Sequence, residues 1–345
     1  MDVKETLFEL CRLSGPSGFE EEVSACCEKL LGAYSGKVRR DPLGNVIAFI
    51  PCGKPGAKKL LLDAHIDELG LIVSSHEDGF LRFEVLGGID PRILPGRELT
   101  ILGEEKLFGV VSCLPPHLLS AEQMEKPVPV KDMFIDTGLS AEEAKRRIPV
   151  GTPAVYRDEP GELEGALLCG KAMDDRSCFT ALLRALELLQ GRERAVDLYV
   201  MAGVQEEVFM RGAGPAAFDI APDYSIVVDV TNAKTPDSRE QVHLELGKGP
   251  TLSIGPNTDR RFTRFIGETG QKQGIPLQYS VHTRNSGTNA YPIQVSRGGV
   301  ISAIIELPAV YLHTPVECVR LEDLEHTAAL VAAAVENIEK FPAEF

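Results

Sequence analysis

The chain has 345 residues, 43% of them apolar and 25% charged, which is material for about two ordinary domains and excludes disorder or collagen-like repeats. Its net charge is −15, with 36 Lys and Arg against 51 Asp and Glu. No basic cluster offsets that field, so nucleic-acid and membrane partners are not expected. The longest apolar runs, at 198–204 and 328–335, fall far short of the ~20 residues of a membrane helix. The first residues, Met-Asp-Val-Lys-Glu, lack a basic segment followed by an apolar stretch, so no secretory signal is expected. Eight cysteines form no C-x-x-C pair, and most read as small core residues of a cytoplasmic protein.

In chain order, the first ~50 residues read as two helices and a strand pair. Ser17 and Glu20 have capping-box spacing, followed by Phe19, Val23, Cys26 and Leu30 at helical intervals. A turn at 41–45 precedes the strand 46–50. Lys59-Leu60-Leu61-Leu62 then runs into Asp63-Ala64-His65-Ile66-Asp67, an apolar strand suited to a sheet covered on both faces. From Leu71 to Glu164 short strands alternate with Gly and Pro turns, and Ser140 with Glu143 caps a short helix. This stretch reads as a small β-rich domain inserted into a larger one formed by 1–70 and 165–345. After Gly165 strands and helices alternate: a helix over 175–190 ending at Gly191, and strands at 196–204 and 224–230. Further strands lie near Thr251, near Gln278 and over 300–307, and a last helix covers 321–340. The fold predicted is α/β, a mixed central sheet sandwiched by helices, with the inserted β-rich domain.

The chemically capable residues fall where strands end. His65 and Asp67 close the first buried strand, Asp174 follows the strand ending near Cys169, and Glu206 and Glu207 follow an apolar strand. Asp229 lies near the end of 224–230, and His313 follows 300–307. Ligands of open α/β sheets bind outside the carboxyl ends of strands, so these positions can converge. Histidines and carboxylates without thiolates are the ligand set for zinc, cobalt or manganese. Each residue alone has a bland reading as a helix cap, a solvated turn or a satisfied core group. Their joint occurrence, with adjacent acids after an apolar run, favours a metal site, because burying unpaired carboxylates is costly. Asp174, Glu207 and Asp229 bring three negative charges to two divalent ions, and a hydroxide would neutralise the remainder. One carboxylate must then bridge, with a His and a terminal carboxylate on each ion. Glu206 is left as general base, and Asp67 can accept the second N–H of His65.

The sequence resembles the dinuclear metallo-aminopeptidases that include tetrahedral aminopeptidase and bacterial glutamyl aminopeptidase. The resemblance rests on Ala64-His65-Ile66-Asp67-Glu68-Leu69-Gly70, Gly170-Lys171-Ala172-Met173-Asp174-Asp175-Arg176 and Gln205-Glu206-Glu207-Val208. It extends through Arg211-Gly212-Ala213, Val228-Asp229-Val230-Thr231 and His313-Thr314-Pro315-Val316-Glu317, with 132–138 similar to the family's inserted domain. It implies that His65, Asp229, Glu207 and His313 flank a metal pair bridged by Asp174, with Glu206 as base and Asp67 as partner of His65. It implies two divalent ions per subunit and hydrolysis of the N-terminal peptide bond of short peptides. It also implies a cis peptide after Asp174, dimerisation through the inserted domain, and dimers that build a hollow tetrahedral dodecamer.

Three positions depart from the family pattern: Phe209 replaces a Gly, Asn289 the Asp of Gly-Thr-Asp-Ala, and Val310 an Arg. They leave the substrate-binding residues open, Arg211 and Ser286-Gly287-Thr288 included. Gly212-Ala213-Gly214-Pro215-Ala216-Ala217 matches a dinucleotide fingerprint, but too far after its strand. His76, His117, His243, His282 and His326 show no partner pattern and read as surface or structural. The rival readings are a metal-dependent N-acyl amino acid hydrolase, a catalytically impaired relative, and a glycosidase using Glu206 and Glu207. The glycosidase is disfavoured because neighbouring strand residues point to opposite faces.

Overall fold

The computed structural model describes residues 1–238 and 243–342. In chain order, helices α1 (Val3–Arg12) and α2 (Glu21–Gly32) lead into strands β1 (Val38–Arg40), β2 (Val46–Ile50) and β3 (Lys58–His65). Then come β4 (Gly70–Glu77), β5 (Phe80–Leu86), β6 (Glu98–Leu102), β7 (Lys106–Ser112), α3 (Ala121–Met124), β8 (Phe134–Asp136), α4 (Ala141–Arg147) and β9 (Pro153–Tyr156). The remainder is β10 (Gly161–Leu163), β11 (Leu167–Gly170), α5 (Met173–Leu188), β12 (Val196–Gly203), α6 (Ala213–Ile220) and β13 (Tyr224–Asn232). It closes with β14 (Thr251–Ile254), α7 (Arg260–Lys272), β15 (Gln278–Val281), α8 (Ala290–Gln294), β16 (Ile301–Val310), β17 (Glu317–Arg320) and α9 (Leu321–Asn337).

The described strands form two sheets. The larger runs β1-β2-β12-β3-β13-β16-β17-β11-β10, with β14 joining β16 to β15. Its four central strands, β12, β3, β13 and β16, are all parallel to one another. They are near-continuous apolar runs because both faces are covered. On one face Leu60, Leu62 and Ala64 meet α1, α2, α5, α7 and α9. On the other, Leu61, Val227 and Ile304 meet α6 and α8. Strands β4 to β9 close into a separate barrel, β4-β5-β8-β7-β6-β9, around Leu71, Leu81, Leu99, Ile101, Ile135 and Ile148. Closure removes the free edges that short strands otherwise expose.

Local signals act where chemistry allows. Ser140 and Glu143 form a complete capping box on α4. Ser17 does not cap α2: the N-cap is Glu20, and the Ser17 hydroxyl donates instead to Asp67 Oδ2 at 2.7 Å. A buried carboxylate accepts a stronger, charge-assisted bond than a helix end offers, so tertiary contact overrides the local motif. All eight cysteines are free, and no helix among the described residues is long and apolar enough to cross a membrane.

Candidate metal centre

Because β12, β3, β13 and β16 are parallel, their carboxyl ends open on one edge of the sheet. His65 is the last residue of β3, paired with Gly203 of β12. Glu206 and Glu207 lie three and four residues past the end of β12, Asp229 near the end of β13, and His313 three residues past β16. Asp174 enters beside them at the start of α5, where Asp174 and Asp175 leave helical geometry and share a cis peptide bond. His65, Asp174, Glu206, Glu207, Asp229 and His313 all line one cavity of about 400 Å³. That volume falls within the roughly 300–1,000 Å³ usual for ligand pockets.

Asp174 sits between the histidines. His65 Nε2 is 3.0 Å from Asp174 Oδ1, and His313 Nε2 is 3.6 Å from Asp174 Oδ2 and 3.8 Å from Glu207 Oε2. Glu206 Oε2 is 3.9 Å from His65 Nε2. Two groups of side chains have ligand atoms close enough to hold a cation: His65, Asp174 and Glu207, and His65, Asp175 and Asp229.

The electrostatics fit cations. Burial pushes the Glu206 carboxyl up to about 8 and holds Glu207, Asp175 and Asp229 well above the usual carboxylate range, with neighbouring acids adding to the shift. Burial alone would lower the His65 imidazole, but the carboxylates of Asp174 and Asp67 hold it well above its ordinary value. Among the described residues lining the cavity there is no Lys or Arg to compensate these acids. Divalent cations on this hard-oxygen and imidazole set would ionise the carboxylates and repay their burial.

Asp67 does more than the sequence suggests. Its Oδ1 accepts the Glu206 N–H at 3.0 Å and its Oδ2 the Glu207 N–H at 3.2 Å, fixing the turn that carries both glutamates. The hydrogen bond at His65 Nδ1 goes to the Asp67 carbonyl oxygen at 3.2 Å, with the carboxylate Oδ1 slightly farther at 3.4 Å. Glu206 and Glu207 lie beyond the strand and both enter the cavity, so the strand-alternation argument against a glycosidase does not apply to them.

Several groups around the site escape sequence reading. Glu317 Oε2 accepts the Asp174 N–H at 3.0 Å, and its Oε1 accepts the His313 N–H at 2.8 Å, so one buried carboxylate aims both residues. Asp175 Oδ2 accepts the His65 N–H at 3.2 Å. A buried network joins Glu68 to Lys171 at 2.8 Å and to Arg176 at 3.1 Å, while Arg176 also donates to the carbonyls of Leu10, Leu13 and Ile66. It ties α1, the segment after β3 and the start of α5 together. The signal available in the sequence is the excess of charge near the histidines and acids of the cavity, without its pairing. Of the three departures, Phe209 is 84% exposed at the cavity, Asn289 is buried near Gly203, and Val310 packs on Ala233 and Cys318.

An α/β sandwich whose parallel central strands deliver two histidines and a set of buried carboxylates to one cavity has the make-up of a metal-dependent hydrolase. A family model described as M42 glutamyl aminopeptidase matches residues 44–330, and the chain belongs to that family of metal-dependent aminopeptidases. It is 33% identical over 340 residues to lysyl aminopeptidase of Pyrococcus furiosus, covering 97% of each chain. It superposes with a TM-score of 0.92 on the TET aminopeptidase of a marine-sediment Thaumarchaeota archaeon, at 31% identity, covering 99% of this chain and 100% of that one. The TET1 peptidase of Pyrococcus horikoshii, described as assembling into a tetrahedron or a large octahedral shell, matches with a TM-score of 0.85 at 29% identity over 97% of this chain and 99% of that one.

Proposed function

We propose that this chain removes N-terminal residues from short peptides with two divalent cations in its cavity. Asp174, His65, Asp229, Glu207 and His313 would hold the pair, with Asp174 placed to serve both. The observation that carries this reading is the division of the Asp174 carboxylate, one oxygen toward His65 and the other toward His313. When bound, the cations would supply Lewis acidity for the scissile carbonyl and lower the pKa of the attacking water. Glu206 takes that water's proton and passes it to the leaving amine. Asp67 holds Glu206 in place through its backbone N–H, and Glu317 aims the bridge and the second histidine.

Zinc, cobalt and manganese all suit these donors. The assembly reading is a homo-oligomer in which the barrel mediates dimerisation, in keeping with the P. horikoshii relative's shells. The test combines elemental analysis with a panel of aminoacyl and N-acylated substrates before and after chelation. Expected are two ions per chain, release from free amino termini only, and loss of both turnover and thermal stability with the metal. Full activity in excess chelator, or preference for blocked amines, would overturn the reading.

A further inference from the structure

One acid in the cavity has no part in the cation cluster. Glu306 of β16 pairs with Asp229 of β13. Val227 of β13 pairs with Asp63 of β3, so Asp229 and His65, two residues further on, share a level. His65, Asp229 and Glu306 therefore form one row across three parallel strands, pointing to the same face. Glu306 is only 2% exposed yet lines the cavity. Its Oε2 accepts from Ser280 Oγ at 2.6 Å, and its Oε1 is 3.1 Å from His282 Nε2. His282, expected to be surface or structural, thus belongs to the cavity.

A carboxylate offers about four acceptor positions, and these two contacts occupy two of them. Ser280 is neutral, while the hydrogen bond to Glu306 raises the His282 imidazole above its ordinary value, so a cationic partner meets the carboxylate from one side. The acceptor positions left open on a buried carboxylate favour a cation placed against them and repel a second carboxylate.

We propose that Glu306 reads the side chain of the substrate's N-terminal residue and selects a cationic one, lysyl or arginyl, over acidic residues. This rests on the aminopeptidase reading above. The scissile bond lies over the His65–Asp229 end of the row, and the side chain of the residue being released extends toward β16. The ammonium or guanidinium donates to the free positions of the Glu306 carboxylate.

The test compares lysyl, norleucyl and glutamyl p-nitroanilides on the metal-loaded protein. Norleucine keeps the four-carbon chain of lysine and lacks its charge. Wild type is expected to favour lysyl over norleucyl at least tenfold in kcat/KM and to turn over glutamyl slowest. In Glu306→Gln the lysyl-to-norleucyl ratio falls at least tenfold, mainly through KM, with metal content unchanged. A purely structural role for Glu306 would lower both substrates together and leave the ratio alone, and that result overturns the proposal. So does a wild type that prefers norleucyl or glutamyl, a result that stands even if the variant fails to fold. Release from none of the three substrates would sink the aminopeptidase reading itself, and this inference with it.

Discussion

The barrel and the edge of the central sheet are built on opposite rules. Between residues 71 and 156 the described residues include one buried polar side chain, Thr152, and no buried charge. At the sheet edge, Asp63, His65, Asp67, Glu68, Asp174, Asp175, Arg176, Glu206, Asp229, Glu306 and Glu317 are all buried. The barrel is held by apolar burial and closed strand pairing. The edge is a polar network in which Asp67, Glu68, Arg176 and Glu317 bond to neighbouring groups, while burial raises the carboxyls of Glu206, Asp175 and Asp229. What specifies a fold and what specifies a site are therefore kept in different parts of the molecule.

The contrast can be broken most sharply at Glu206. Glu206→Gln should keep its metal and lose about 10²–10⁴-fold in kcat, measured by steady-state kinetics alongside elemental analysis. Wild-type turnover would remove Glu206 as the base. Next is Ile101→Ala in the barrel core, expected to cost about 2–5 kcal/mol in urea unfolding with metal content unchanged. Metal loss there would show the two regions to be less separate than they look. Glu317→Gln replaces one carboxylate oxygen with a donor facing a backbone N–H, and should weaken metal affinity about 10–100-fold by competition titration. Least is Ser140→Ala, which removes the α4 cap for about 1 kcal/mol, read as a small fall in melting temperature without change in kcat.

What the sequence revealed follows the same division. Apolar strands such as 59–62 and the capping box at Ser140 signal themselves through local pattern. Histidines and acids after apolar runs stand out because their burial needs a reason. The supporting groups do not stand out: Glu317 follows an ordinary turn, Asp175 is shadowed by Asp174, and Ser17 mimics a cap while bonding Asp67. Glu306 does not stand out within an apolar strand, because its partners, Ser280 on β15 and His282 just after it, lie 26 and 24 residues away. Helix α7 is amphipathic, but Gly267 and Gly270 lower its intrinsic helix propensity. Both glycines make room for close packing, against Tyr279 and Leu252 and against Leu330 and Leu277. Its start was announced by Asp259, whose carboxylate accepts from the N–H groups of Arg261 and Phe262.

Among the described residues, the barrel segment contributes Gly88 to the lining of the cavity. The carbonyl of Gly88 is 3.1 Å from His313 Nδ1, and a Cβ on Gly88 would sit 2.9 Å from that same nitrogen. The turn after β5 is thus the backstop against which the His313 imidazole is oriented. An engineer who trimmed the barrel away, or grafted a different module in its place, would inherit an intact sandwich with one imidazole left unanchored. Any such transplant has to carry the Gly87-Gly88 corner with it.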